Sequence, residues 1–168
     1  MMEFKGRVWV FGDDIDTDVI ISGKYLRSED YKEWANHIFE VLEKNYSSRM
    51  KPGDIIVAGE NFGCGSSREQ AAIAIKEIGI SVIIAKSFGR IFFRNAINIG
   101  LPVVVCHHIK DYSISDGEVI SVDLEKGHVH YRGNTLLAEK LPDFIADILK
   151  TDGLINYYNK FEAKKNGT

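Results

Sequence analysis

The densest run of chemically capable side chains is Gly63-Cys64-Gly65-Ser66-Ser67-Arg68-Glu69. Its glycines let the backbone approach a ligand closely, and its serines can cap the helix that follows. The free N–H groups and positive dipole end of that helix favour an anion, and Arg68 can act as a bidentate clamp on a carboxylate or phosphate. The same residues also fit a plain helix start, with Ser66 or Ser67 as N-cap and Glu69 or Gln70 completing a capping box. Spacing excludes two enzyme signatures. A dinucleotide fingerprint needs GxGxxG, but Arg68 holds the third position, and the next strand ends Ile84-Ala85-Lys86 with no acidic residue for a ribose. A hydrolase nucleophile elbow needs GxSxG, and neither serine has glycines at both offsets.

The second polar feature is the loop Gly12-Asp13-Asp14-Ile15-Asp16-Thr17-Asp18. A calcium-binding EF-hand needs glycine at its sixth position, glutamate at its twelfth and two flanking helices, which this loop lacks. A solvated loop is the plain reading. Its interest lies in combination with the serine-arginine turn, because a parallel sheet brings such loops to one edge. Cys106-His107-His108 follows a strand without residues nearby to complete a metal coordination set, so it reads as a solvated strand end. Cys64 reads as structural, and His37, beside Ile38 in a predicted helix, as a packing residue.

The elements that must position these residues are legible from periodicity. Arg7 to Phe11 is rich in strand formers, and Gly12-Asp13-Asp14 breaks it. Trp34, Ile38, Val41 and Leu42 recur at helical spacing, predicting a helix over Tyr31 to Glu43. Ile55 to Ala58 is an apolar run suited to a strand buried on both faces. Ala71, Ala74, Ile75 and Ile78 mark a helix closed by Gly79, Ser81 to Ala85 a second buried strand, and Phe88, Ile91, Phe92, Ala96 and Ile99 a helix ending at Gly100. Val103 to Val105 forms a third apolar run. Strand, helix, strand, helix, strand with tight connections implies crossovers and a parallel sheet. Beyond Asp111 the pieces Glu118 to Val122, His128 to Tyr131 and Thr135 to Leu137 predict an antiparallel meander with Gly133-Asn134 at its last turn. Helices over Pro142 to Leu149 and Leu154 to Phe161 follow, and Glu162 to Thr168 reads as a frayed tail. The expected fold is α/β: one domain over residues 1–168, with a mostly parallel core sheet, flanking helices and a β-rich C-terminal part.

Composition bounds the function. The chain has 168 residues, 45% hydrophobic and 27% charged, which excludes disorder. A net charge of -3, from 21 basic and 24 acidic residues without a dense basic block, argues against electrostatic capture of nucleic acid or an anionic membrane. Two cysteines fit a reducing compartment, and the N-terminus lacks a signal-peptide layout, so the expected location is the cytoplasm.

Three ordered blocks resemble a known family. Asp13-Asp14-Ile15-Asp16-Thr17-Asp18-Val19-Ile20, Gly59-Glu60-Asn61-Phe62-Gly63-Cys64-Gly65-Ser66-Ser67-Arg68-Glu69 and Ala85-Lys86-Ser87-Phe88-Gly89-Arg90-Ile91-Phe92-Phe93-Arg94-Asn95 are similar to the small, swivelling subunit of the aconitase superfamily. The resemblance implies a swivelling β/β/α domain, active only with a large subunit that carries a [4Fe-4S] cluster; no cofactor or metal ligand is expected in this chain. It implies a hydro-lyase activity on a small di- or tricarboxylate. Isopropylmalate is the first expectation, homocitrate and dimethylmalate the alternatives. Carried over by position, Ser66 is the base, Ser67 and Arg68 hold a substrate carboxylate, and Asp18, with Thr17, Gly63 and Gly65, supports them. In the family the segment Ser22 to Ser28 faces the variable part of the substrate. There Arg27 suits an extra carboxylate better than an isopropyl tail; alternatively it points to solvent or to the large subunit. A non-catalytic module that captures a carboxylate is the reading from a different class.

Overall fold

The structure is a computed structural model and describes residues 2–42 and 45–166. Seven strands form one sheet in the order β4-β3-β2-β1-β5-β6-β7. The parallel half comprises β1 (Glu3–Val10), β2 (Ile55–Ala58), β3 (Val82–Ala85) and β4 (Val103–Val105). The antiparallel half adds β5 (Val119–Asp123), β6 (His128–Tyr131) and β7 (Asn134–Leu137). Between strands run the helices α1 (Thr17–Ile20), α2 (Tyr31–Asn36), α3 (Tyr46–Arg49), α4 (Glu69–Glu77) and α5 (Arg90–Asn98); α6 (Asp143–Lys150) and α7 (Leu154–Asn166) complete the chain.

β1 is longer than its apolar run because it serves both halves. Glu3 to Arg7 pairs with β5 and Val8 to Val10 with β2. Every residue of β2 and β3 is buried, as expected of unbroken apolar strands covered on both faces. Their register aligns Val10 with Val57, Ala58 with Ala85 and Ala85 with Val105, so the loops leaving β1, β2 and β3 emerge at one edge. The sheet also curls until its ends meet, since the Glu139 amide donates to the Val105 carbonyl at 2.8 Å.

Other boundaries also differ from the sequence expectation. The helix predicted over Tyr31 to Glu43 stops at Asn36; a short 3-10 turn covers Glu40–Leu42, and Glu43 lies outside the described residues. Phe39 is the cause. It is fully buried with φ +55°, its ring lies 4.5 Å from that of Phe11, and its amide donates to the Ile20 carbonyl at 2.9 Å. Core packing thus overrides helical periodicity. At the last hairpin Arg132-Gly133, both at positive φ, form the two-residue turn, and Asn134 already pairs with Tyr131, one residue earlier than expected. The tail reads as helix through Asn166 and not as fray from Glu162; no breaker precedes Gly167, and alanine and lysine favour helix.

Candidate active site

The acidic loop and the glycine turn are laced together at the edge of the parallel strands. The Asp13 carboxylate accepts from the Glu60 amide at 2.8 Å, the Asp14 amide donates to the Glu60 carbonyl at 2.8 Å, and Asn61 Nδ2 reaches Asp14 Oδ1 at 2.9 Å. Further on, the Gly63 amide donates to the Ile15 carbonyl at 2.7 Å and the Thr17 amide to the Cys64 carbonyl at 2.9 Å. Asp16 caps α1 by accepting from the Val19 amide at 2.9 Å. This cap-then-acidic-turn signal is present in the sequence, although the segment reads there only as loop.

The third block supports the turn from the other side. The Phe62 amide donates to the Ser87 carbonyl at 3.1 Å, Gly89 N–H to the Phe62 carbonyl at 2.9 Å, and the Asn61 amide to Ser87 Oγ at 2.9 Å. Phe62 sits edge-on to Phe88 and Phe92. Gly63 shows why glycine is required. Its φ is +76°, and a Cβ there would lie 2.1 Å from Cγ of Phe92. At Gly65, with φ +92°, a Cβ would meet the Asp16 side chain at 3.3 Å.

Thr17 is buried, 1% exposed, and its hydroxyl donates to the Ser66 carbonyl at 3.0 Å, fixing the backbone that carries the serine pair. Ser66 and Ser67 are exposed, and neither side chain has a hydrogen-bond partner among the described residues. The helix-cap reading is thereby corrected: α4 starts at Glu69, Arg68 is its N-cap, and no side chain caps its first amides. Arg68, largely buried, reaches back over the loop after α1, where its Nη1 donates to the Asp18 carboxylate and, at 3.2 Å, to the Ile21 carbonyl. A guanidinium carries five N–H donors, and those on Nε and Nη2 of Arg68 have no hydrogen-bond partner among the described residues. Thr17, Asp18, Gly63, Gly65, Ser66, Ser67 and Arg68 therefore come together. Arg27 does not join their hydrogen-bonded lattice: it is exposed and unpaired among the described residues.

The remaining candidate ligands lie outside this lattice or are poorly suited to metal. Burial, then the charges of Asp16 and Asp14, push the Cys64 thiol above its ordinary pKa, so the thiolate that metal binding needs is disfavoured. Cys106 is buried, and its thiol likewise shifts upward, chiefly through burial. His107 pairs with Glu139 at 2.9 Å and His108 with Asp111 at 2.8 Å. No group of three or more His, Cys, Asp or Glu that could hold a metal ion occurs among the described residues. His37 is a packing residue, but at the surface: its ring stacks on Tyr25 at 3.9 Å. No helix among the described residues is long and apolar enough to cross a membrane.

A curled α/β sheet with a glycine-serine-arginine turn clasped to an acidic loop defines a class, and the family comparison agrees. Residues 14–107 match the Aconitase C-terminal domain, and the chain belongs to that family. Several of its relatives are named dehydratase small subunits, hydro-lyases of the aconitase family. It is 52% identical over 154 residues to 3-isopropylmalate dehydratase small subunit 1 of Archaeoglobus fulgidus, covering 90% of this chain and 94% of the relative. It is 48% identical over 158 residues to the methanogen homoaconitase small subunit of Methanothermobacter thermautotrophicus, covering 93% and 91%. The crystal structure of 3-isopropylmalate dehydratase from Methanocaldococcus jannaschii superposes with a TM-score of 0.92 at 46% identity over 99% of both chains.

Proposed function

We propose that the chain is the small subunit of a cytoplasmic 3-isopropylmalate dehydratase, which interconverts 2- and 3-isopropylmalate by dehydration and rehydration in leucine biosynthesis. One observation carries the reading: two serine hydroxyls without a hydrogen-bond partner among the described residues precede an arginine already oriented by Asp18 and the Ile21 carbonyl. Ser66, as alkoxide, takes the proton from carbon; the C–H electron pair becomes the new double bond, and hydroxide leaves the neighbouring carbon. Rehydration returns both groups with their positions exchanged. A serine alkoxide is unfavourable in water near neutral pH, so the uncapped N-terminus of α4 and the Arg68 charge must act on it in a closed, poorly hydrated site. Ser67 and the Nε and Nη2 donors of Arg68 hold a substrate carboxylate, while Asp18, Thr17, Gly63 and Gly65 keep the turn in place. A [4Fe-4S] cluster on a separate large subunit would supply the Lewis acid for the leaving hydroxyl. Neither nucleic acid nor a membrane is a partner in this reading.

Arg27, exposed and unpaired among the described residues, and the homoaconitase relative favour a second reading, in which the substrate is a tricarboxylate such as homocitrate. Anaerobic reconstitution with the large subunit of the same organism, followed by assays of isopropylmalate, homocitrate and dimethylmalate, separates them. Turnover of isopropylmalate is expected. Preference for homocitrate replaces the first reading with the second, and binding of carboxylates without any turnover leaves only a carboxylate-binding module.

A further inference from the structure

The loop from Ser22 to Ser28 is gripped at one residue and free at another. The Tyr25 hydroxyl donates to Glu40 Oε2 at 2.6 Å, its ring stacks on His37 with centroids 3.9 Å apart, and the Lys24 ammonium lies 4.7 Å from the ring centroid. Glu40 Oε2 also meets Lys24 Nζ at 3.3 Å and His37 Nδ1 at 3.6 Å. The Tyr25 carbonyl accepts twice, from Trp34 Nε1 at 3.1 Å and from the Ser28 amide at 3.1 Å. The second of these bonds closes a turn whose central residues are Leu26 and Arg27. Arg27, exposed and unpaired among the described residues, is thus presented by a turn that closes on the gripped residue.

The grip depends on the break in the predicted helix. Phe39, in its left-handed conformation, ties the segment to Ile20 and so to the short helix that carries Asp18, and Glu40 follows directly. The hydrogen bond from Tyr25, with the Lys24 charge nearby, holds the Glu40 carboxyl below its ordinary pKa, so it is ionised at neutral pH as the cluster requires.

We infer that Glu40 and His37 are positioning residues that, by gripping Tyr25, fix the turn presenting Arg27 and set how sharply the site separates substrates with a carboxylate at their variable end from those with an alkyl group there. The inference rests on the reading of Arg27 as the residue that faces this variable end. Ordering the turn before substrate arrives removes a cost otherwise met on binding, and it keeps an arginine from reaching either class of substrate indiscriminately.

The test uses the full chain and its complex with the large subunit. In the free chain, E40A and Y25F should speed tryptic cleavage after Lys24 and Arg27 by about tenfold, because the closed turn opens more often. In the complex the ratio of kcat/KM between homocitrate and isopropylmalate should move about tenfold toward unity, through KM with kcat little changed. The double variant E40A/Y25F should be no worse than either single one, since both break the same contact. H37F, which keeps a ring to stack on Tyr25, should behave as the parent, while H37A should resemble E40A. Unchanged cleavage in E40A and Y25F overturns the grip. Faster cleavage with unchanged selectivity overturns the link to substrate choice, provided that R27A alters selectivity. If R27A leaves selectivity unchanged, the underlying reading of Arg27 fails instead.

Discussion

Arg68 is held through one of its three guanidinium nitrogens. Its Nη1 is engaged by Asp18 and the Ile21 carbonyl, while Nε and Nη2 have no partner among the described residues and are the donors proposed for a carboxylate. Ser66 is pinned through its carbonyl by Thr17, and its hydroxyl has no partner among the described residues. Separate kinetic signatures follow in the reconstituted complex. S66A should lower kcat by about a hundred- to ten-thousand-fold with KM little changed, as for loss of a general base. R68K should act chiefly on KM, raising it about tenfold or more, because a point charge cannot hold Asp18 and clasp a carboxylate side-on at once. An S66A variant of full activity, or an R68K variant with unaltered KM, contradicts the assignment. The residue types for this chemistry were legible in the motif. The exposure of both serines and the direction of Arg68 were not, because those depend on a loop fifty positions earlier in the chain.

Two contacts hold the elements so that this motif meets its loop. Gly63 abuts Phe92, the buried aromatic at the start of α5, and G63A must both strain a φ of +76° and displace a fully packed ring. We expect a loss of about 3 kcal/mol or more in chemical denaturation, with the far-UV circular dichroism of any folded fraction preserved. At the opposite end of the parallel strands, Asp54 accepts from Trp9 Nε1 at 2.7 Å, Arg7 at 2.9 Å and the Lys51 amide at 2.9 Å. Burial opposes its ionisation, but these donors outweigh burial and hold the carboxyl below its ordinary 3.8. A depressed folded value means that the stabilisation is complete above the unfolded value and disappears as pH falls through the lower folded one. D54A should therefore cost about 2 to 3 kcal/mol at neutral pH, and the difference from the parent should shrink on acidification below about pH 4, measured by urea unfolding. A gap between the two that is constant with pH would contradict the role of the charge. The strands were plain from their apolar runs, but the helix after Tyr31 was not legible to its end. Periodicity describes only local burial, whereas Phe39 answers to Phe11 and Ile20 across the core.

Across the molecule, β2 and β3 lie at the centre of the parallel half with every residue buried, while β7 ends the antiparallel half with Leu137 73% exposed. Amide exchange followed by mass spectrometry should be slowest in β2 and β3 and fastest among the strands in β7, as opening begins where fewest apolar contacts are lost; equal protection would contradict a sheet stabilised from its centre. The curl that joins Glu139 to Val105 also shields the edge of β4. The order of the strands and of α2, α4, α5, α6 and α7, the parallel half and the family blocks were readable along the chain, whereas α1 and α3 were not, because periodicity, turn residues and motif spacing act between near neighbours in sequence and these two helices are a single turn each. The meeting of the three blocks at one edge, the break at Phe39 that delivers Glu40 to Tyr25, and the pairing of Arg68 with Asp18 emerged from packing. Each joins segments distant in the chain, and at such positions burial and hydrogen-bond satisfaction outweigh local preference.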